Sequence, residues 1–184
     1  MRDIRRIFVH CTAGSQKQTK NDLLREFKAK GWRAPGYHYV VFPDGRVDSL
    51  LAEDKVSNGV QGFNSTAINV AYVGGIDSKG RAVDNRTEAQ KTSLRELLHS
   101  LHLKYPNAHI MGHRDIWGKD KSKWKKMCPC FDAEKEYSDM QFIYHNKYED
   151  ASNNYPSYAI MTDGSLKEPV SWWDKIKKLA PWNR

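Results

Sequence analysis

At 184 residues, the chain is long enough to bury one substantial core and to carry an appendage beyond it. Hydrophobic residues make up 39% and charged residues 28%, with a mean hydropathy of −0.77; no stretch approaches the ~18 apolar residues that a membrane-crossing helix requires. The net charge of +8 and the pI of about 9.3 favour an anionic partner, and charge alone does not choose among nucleic acid, a membrane surface and bacterial cell wall.

The N-terminal segment is basic, but its apolar run at Ile7–Val9 is far shorter than the roughly 7–15 residues of a secretory h-region. No signal peptide is expected, and synthesis is expected in a reducing compartment. The three cysteines, Cys11, Cys128 and Cys130, cannot all pair within one chain, which argues against a disulfide framework and leaves free thiols or metal ligands.

Residues 5–12, RRIFVHCT, predict a buried strand with Phe8, His10 and Thr12 on one face and Ile7, Val9 and Cys11 on the other. Thr19, with Asp22 three residues on, has the pattern of a capping box. Leu23, Leu24 and Phe27 form the stripe of the helix it opens, and Gly31 is its stop. YHYVVFPDGRVDSLL predicts a hairpin turning at Pro43-Asp44-Gly45. INVAYVGG, residues 68–75, predicts a second buried strand ending at a glycine pair. Thr87 caps a long helix to about Lys104, with Leu94, Leu97, Leu98 and Leu101 at helical spacing. AHIMGH, residues 108–113, predicts a further strand. Strands alternating with two helices, plus one antiparallel hairpin, give an α/β domain with a mixed central β-sheet flanked by helices.

Composition shifts after about residue 137, where Asn, Ser, Tyr and Asp replace any sustained periodicity. The expected division is a domain over residues 1–140 and an irregular arm over 141–184 ending in a short amphipathic helix at 171–180. Ser171 and Asp174 open that helix and Pro181 ends it; Trp172, Trp173, Ile176, Leu179 and Ala180 oppose Lys175 and Lys178. So short a helix has to dock, either on its own domain or on an anionic envelope or membrane surface.

A hydrolytic zinc site uses three protein ligands and leaves one position for water. His10 and His113 end apolar strands, and Cys128 follows in KKMCPCFD. Taken singly, a strand histidine is more often a satisfied core or surface group, and the cysteines read as small buried residues. His109 lies ~13 Å along the strand from His113, too far to share an ion. His99 and His102 sit on a helix among leucines, where a surface role is expected. His38 alternates away from Tyr37.

IFVHCTAG, a helix ending in KGW, GYHYVVFPDGRV, GFNSTAINVAYVGGID, TEAQ, GHRDIW and KKMCPCFD occur in this order. Any one block is weak, but the ordered set closely resembles the phage amidase-type lysozymes of the zinc amidase and peptidoglycan recognition protein superfamily. The resemblance runs from about residue 5 to residue 137. It implies that fold, with a zinc site at strand ends, and hydrolysis of the amide joining the lactyl group of N-acetylmuramic acid to L-alanine in peptidoglycan. It further implies one zinc per chain on His10, His113 and Cys128, with Tyr37 and Lys126 catalytic. Zinc would acidify a water, Lys126 would help stabilise the oxyanion, and Tyr37 would orient the water or pass a proton to the leaving amine. Asp115 is a guess for a histidine's second partner. The plainer reading of Tyr37 is a core aromatic. Lys126 is one of a run with Lys119, Lys121, Lys123 and Lys125, and Lys125 is its alternative.

Three departures from the family pattern stand out. Asn58 replaces a histidine that relatives often carry, Cys130 replaces a small residue after Cys-Pro, and the lysine-rich segment 117–126 is long. The expected partner is peptidoglycan and the expected state a monomer. Without a signal peptide, the expected setting is a phage endolysin released by a holin, or an effector delivered by a secretion machine. Two rivals remain: a non-catalytic peptidoglycan-binding module, disfavoured by Cys128, and a nucleic-acid binder stacking bases on Trp117 or Trp124, for which no known motif is present.

Overall fold

The computed structural model describes residues 2–140, so the arm expected over 141–184 and its helix at 171–180 lie outside the described residues. Strand β1, Arg6–Cys11, comes first, its last five residues all buried. Helix α1, Lys20–Ala29, opens on the capping box read from the sequence: Asp22 N–H donates to Thr19 Oγ1, and Thr19 N–H to the Asp22 carboxylate. Strands β2, Tyr39–Val41, and β3, Val47–Ser49, form the hairpin around Asp44-Gly45. Strand β4, Ala67–Tyr72, is buried throughout. Helix α2, Glu88–Lys104, is capped by Thr87 and Gln90. Strand β5, His109–Gly112, and a short helix α3, Ala133–Glu136, complete the set.

The five strands form one mixed sheet in the order β3-β2-β4-β1-β5. β1 runs parallel between β4 and β5, β2 runs parallel to β4, and β3 is the antiparallel edge. Parallel strands buried on both faces read as unbroken apolar runs, which is why IFV and AINVAY hold so few polar residues. α1 sets Leu23 and Phe27 against Val40, Phe42 and Val73. α2 packs on β1 and β2 and buries Leu94, Leu97, Leu98 and Leu101, each stabilising the fold by about 1.5–3 kcal/mol. His99 is exposed as expected, but His102 is not: it lies four residues after Leu98 on the buried stripe and is only 4% exposed.

Two features of this topology position the site. β1 and β5 are neighbours in register, with Val9 opposite Gly112, and the chain leaves β5 straight into a 3-10 turn at His113–Trp117. His10 and His113 therefore meet at the carboxyl edge of the sheet, the edge where α/β sheets gather ligands. The chain returning after Cys130 is anchored by Arg86, whose buried guanidinium pairs with Asp84 and Glu136 and lies 3.3 Å from the Phe131 ring centroid.

Candidate metal centre

Ligand atoms of His10, His113 and Cys128 all lie within 4.8 Å of one another. The two imidazoles meet edge to face with centroids 4.9 Å apart, and Cys128 Sγ is 3.7 Å from His10 Nδ1. A tetrahedral zinc ion with ordinary bonds to thiolate sulfur and imidazole nitrogen holds such a pair about 3.6 Å apart. The His10–Cys128 pair is thus already spaced for one ion. Cys11 N–H donates to Cys128 Sγ at 3.3 Å, and Arg114 N–H donates to the Cys128 carbonyl at 2.9 Å, tying the loop to the sheet edge.

Burial pushes the His10 pKa down to about 4 and the His113 pKa down to about 3; His10 and then Lys126 add to the effect on His113. Both rings are neutral at pH 7 and keep a lone pair for a metal. With a divalent ion bound, two imidazoles and one thiolate would leave a net charge of +1, suited to a Lewis acid.

His10 Nε2 lies 2.8 Å from Asn69 Oδ1, deep in the sheet. Asn69 is a partner that sequence reasoning missed, although a signal was present: it is the one amide in the apolar run AINVAY, and a buried amide has to be hydrogen-bonded. Asp115, the guess made for that role, instead accepts the Gly112 N–H at 2.6 Å. His38 is buried too, its Nδ1 accepting the Asn69 backbone N–H at 2.9 Å and its Nε2 lying 3.1 Å from the Lys55 carbonyl.

Tyr37 packs as a core aromatic and also borders the histidine pair. Its ring packs edge-on against Phe27 with centroids 5.5 Å apart, and the same ring lies 5.2 Å from His10. The hydroxyl donates to the Cys11 carbonyl at 3.4 Å, and burial raises its pKa above the ordinary value, so it stays protonated at neutral pH. Lys126 is exposed, and it is the lysine of its run whose charge lowers the pKa of both histidines.

Cys130 stands apart from the ligand group. Its Sγ donates to the Gly75 carbonyl at 3.3 Å and lies 3.7 Å from Cys11 Sγ. The hydrogen bond with Cys128 is the main cause that raises Cys11 to about 12, and contact with Cys11 raises Cys130 as well, so both stay thiols. Asn58 spends its side-chain N–H on the Ala34 carbonyl at 2.8 Å, fixing the turn just ahead of Tyr37. Both tryptophans considered for base stacking are engaged within the chain: Trp117 stacks on His113 at 5.7 Å, and Trp124 carries the Arg114 guanidinium 4.2 Å from its centroid.

Residues 1–130 match the family model described as N-acetylmuramoyl-L-alanine amidase. The chain belongs to that family. It is 38% identical to an endolysin of Klebsiella phage KP32 over 74% of this chain and 87% of the relative. Among solved structures, the endolysin of the Thermus scotoductus bacteriophage Ph2119 is 28% identical with a TM-score of 0.59, covering 75% of this chain and 84% of that one. The fold extends to Apis mellifera PGRP-SA, 13% identical with a TM-score of 0.56, over 74% of this chain and 82% of that one. The chain is a phage amidase-type lysozyme, and its α/β fold is shared with the peptidoglycan recognition proteins.

Proposed function

We propose that this N-acetylmuramoyl-L-alanine amidase depends on one zinc ion held by His10, His113 and Cys128, with Tyr37 and Lys126 in contact with the reacting atoms. The observation that carries the reading is the convergence of two neutral imidazoles and a cysteine at one sheet edge, with the His10–Cys128 pair near the separation a zinc ion imposes. When bound, zinc supplies a Lewis acid that acidifies water and polarises the scissile carbonyl. Tyr37, protonated and fixed by Phe27 and the Cys11 carbonyl, orients the attacking water and relays a proton toward the departing L-alanine amine. The Lys126 ammonium stabilises negative charge growing on the carbonyl oxygen.

Peptidoglycan is the substrate, and the positive charge of the chain raises its local concentration near anionic envelope polymers. Release to that substrate by a holin fits the phage relatives better than delivery by a secretion machine. A monomer suffices, because the three proposed ligands and both catalytic groups lie on one chain. The segment at 171–180 is proposed to contact the anionic envelope surface. Metal analysis of the purified protein, run beside amine release from peptidoglycan, tests the centre: about one zinc per chain is expected, with activity lost on chelation and restored by zinc. Full hydrolysis by metal-free protein would overturn the zinc requirement.

A further inference from the structure

Resting on the zinc reading above, we infer that Asn69 is a positioning residue that fixes the tautomer of His10, and that a backbone N–H two residues' contact away dictates its orientation. The chain of hydrogen bonds starts at Val60, whose backbone N–H donates to Asn64 Oδ1 at 2.7 Å. A backbone N–H can only donate, so the atom it meets on Asn64 is the carbonyl oxygen. That same oxygen lies 3.5 Å from the Asn69 side chain, and only the amide nitrogen of Asn69 is compatible with it; two carbonyl oxygens there would repel. Asn69 Nδ2 also donates to Ser57 Oγ at 2.8 Å. With Nδ2 committed on this side, Oδ1 is the atom turned toward His10 Nε2 at 2.8 Å.

A carbonyl oxygen accepts, so Nε2 carries the hydrogen and Nδ1 carries the lone pair. Nδ1 is the nitrogen that faces Cys128 Sγ. The network thus prepares the metal-ready form of the ring before any ion arrives. Every group in it is restrained: Asn69 and Ser57 are fully buried, and the Asn69 backbone is held by His38 through both its N–H and its carbonyl. Gly59 completes the cradle. A Cβ placed there would sit 2.2 Å from Asn69 Oδ1, so only glycine leaves the amide in reach of His10. A partner of this kind on a metal-bound histidine typically accounts for 10–100-fold in metal affinity.

The test uses Asn69→Leu, which keeps the branching at Cγ but removes the acceptor. Zinc affinity by chelator competition should fall at least about tenfold in Asn69→Leu. Gly59→Ala, which touches no ligand, should weaken zinc in wild type and add nothing in the Asn69→Leu background. A second readout needs no metal: imidazole ¹⁵N shifts of the chelated protein should report the Nε2–H tautomer of His10 in wild type and a mixture in Gly59→Ala. That readout holds if Asn69→Leu fails to fold. Equal zinc affinity in wild type, Asn69→Leu and Gly59→Ala overturns this inference alone, as does an Nδ1–H tautomer in wild type. Absence of zinc binding by wild type overturns the metal reading itself.

Discussion

His10 and Lys126 act on the same small volume from two different kinds of structure. His10 sits on a central parallel strand, fully buried, its free nitrogen committed to Asn69 and its neighbours closed by β4 and β5. Lys126 sits on an exposed loop among other lysines, and its charge lowers the pKa of both histidines. The difference separates two jobs. The sheet side fixes donor positions where a displacement of an ångström is costly, whereas the loop side supplies charge whose effect falls off gently with distance. Substitutions on the sheet side should therefore remove metal and stability together, and those on the loop side should change rate with metal and fold intact.

The largest effect should come from the one ligand that bridges the two regions. Cys128→Ala removes the thiolate from a site that needs three donors, and both zinc and hydrolysis should be lost. Cys130→Ala should retain zinc, because Cys130 points to Gly75 and Cys11 rather than to the histidines. Metal analysis of the two variants decides it, and zinc retained by the first but lost by the second means the ligand assignment is on the wrong sulfur.

Tyr37→Phe removes one oxygen and leaves the ring on Phe27 and His10, so melting temperature and zinc content should hold while kcat falls by roughly 10²–10⁴. Turnover near wild type would reduce Tyr37 to a packing aromatic. Its case shows how far the sequence reaches. The capping box at Thr19, the cap at Thr87, the Pro43-Asp44-Gly45 turn and the apolar runs of β1 and β4 are local signals, and the elements form where they point. The family motifs name His10, His113 and Cys128, which the fold then brings together. What stayed out of reach is non-local. Asn69 is 59 residues from His10, and neither its partnership nor the need for glycine at 59 is visible until the strands are in register. His102 failed for the opposite reason, since the width of a buried helical stripe depends on what covers it.

A smaller effect follows from keeping imidazoles neutral inside the sheet edge. His10 and His113 sit at about 4 and about 3 against an ordinary value of 6.5. Between those values the unfolded chain binds protons that the folded chain does not, so stability of the chelated protein is complete above pH 6.5 and declines as pH falls toward 4. Each histidine contributes a slope of at most about 1.4 kcal/mol per pH unit. Urea melts in chelator at pH 7.5, 6 and 5 should show the decline, and saturating zinc should reduce it. The carboxylates held below their ordinary values lose their contribution only at lower pH, while burial also lowers His38 and His102, so the part of the decline that zinc removes is the share of His10 and His113. Flat stability across these melts would mean that water reaches the rings and the sheet side is less closed than its burial indicates.

The smallest effect belongs to the loop, and it distinguishes one lysine from its neighbours. An exposed ammonium is screened by the solvent around it, so its hold on a developing oxyanion is modest, and Lys126→Ala should lower kcat by about tenfold, equivalent to about 1.4 kcal/mol. Zinc content and melting temperature should not change, because Lys126 supports no buried contact. Lys126→Arg keeps the charge and should recover part of the rate. Lys123 pairs on the surface with Asp120 at 3.7 Å, and Lys123→Ala should leave kcat within about twofold, as should Lys125→Ala. The general positive field acts differently: it gathers substrate, so added salt should raise KM through the whole lysine run, whereas Lys126 should be read in kcat. A kcat loss in Lys125→Ala with Lys126→Ala silent would move the role one residue along the loop. A loss of zinc in Lys126→Ala would break the comparison itself, since the loop would then be holding the metal rather than only charging its surroundings.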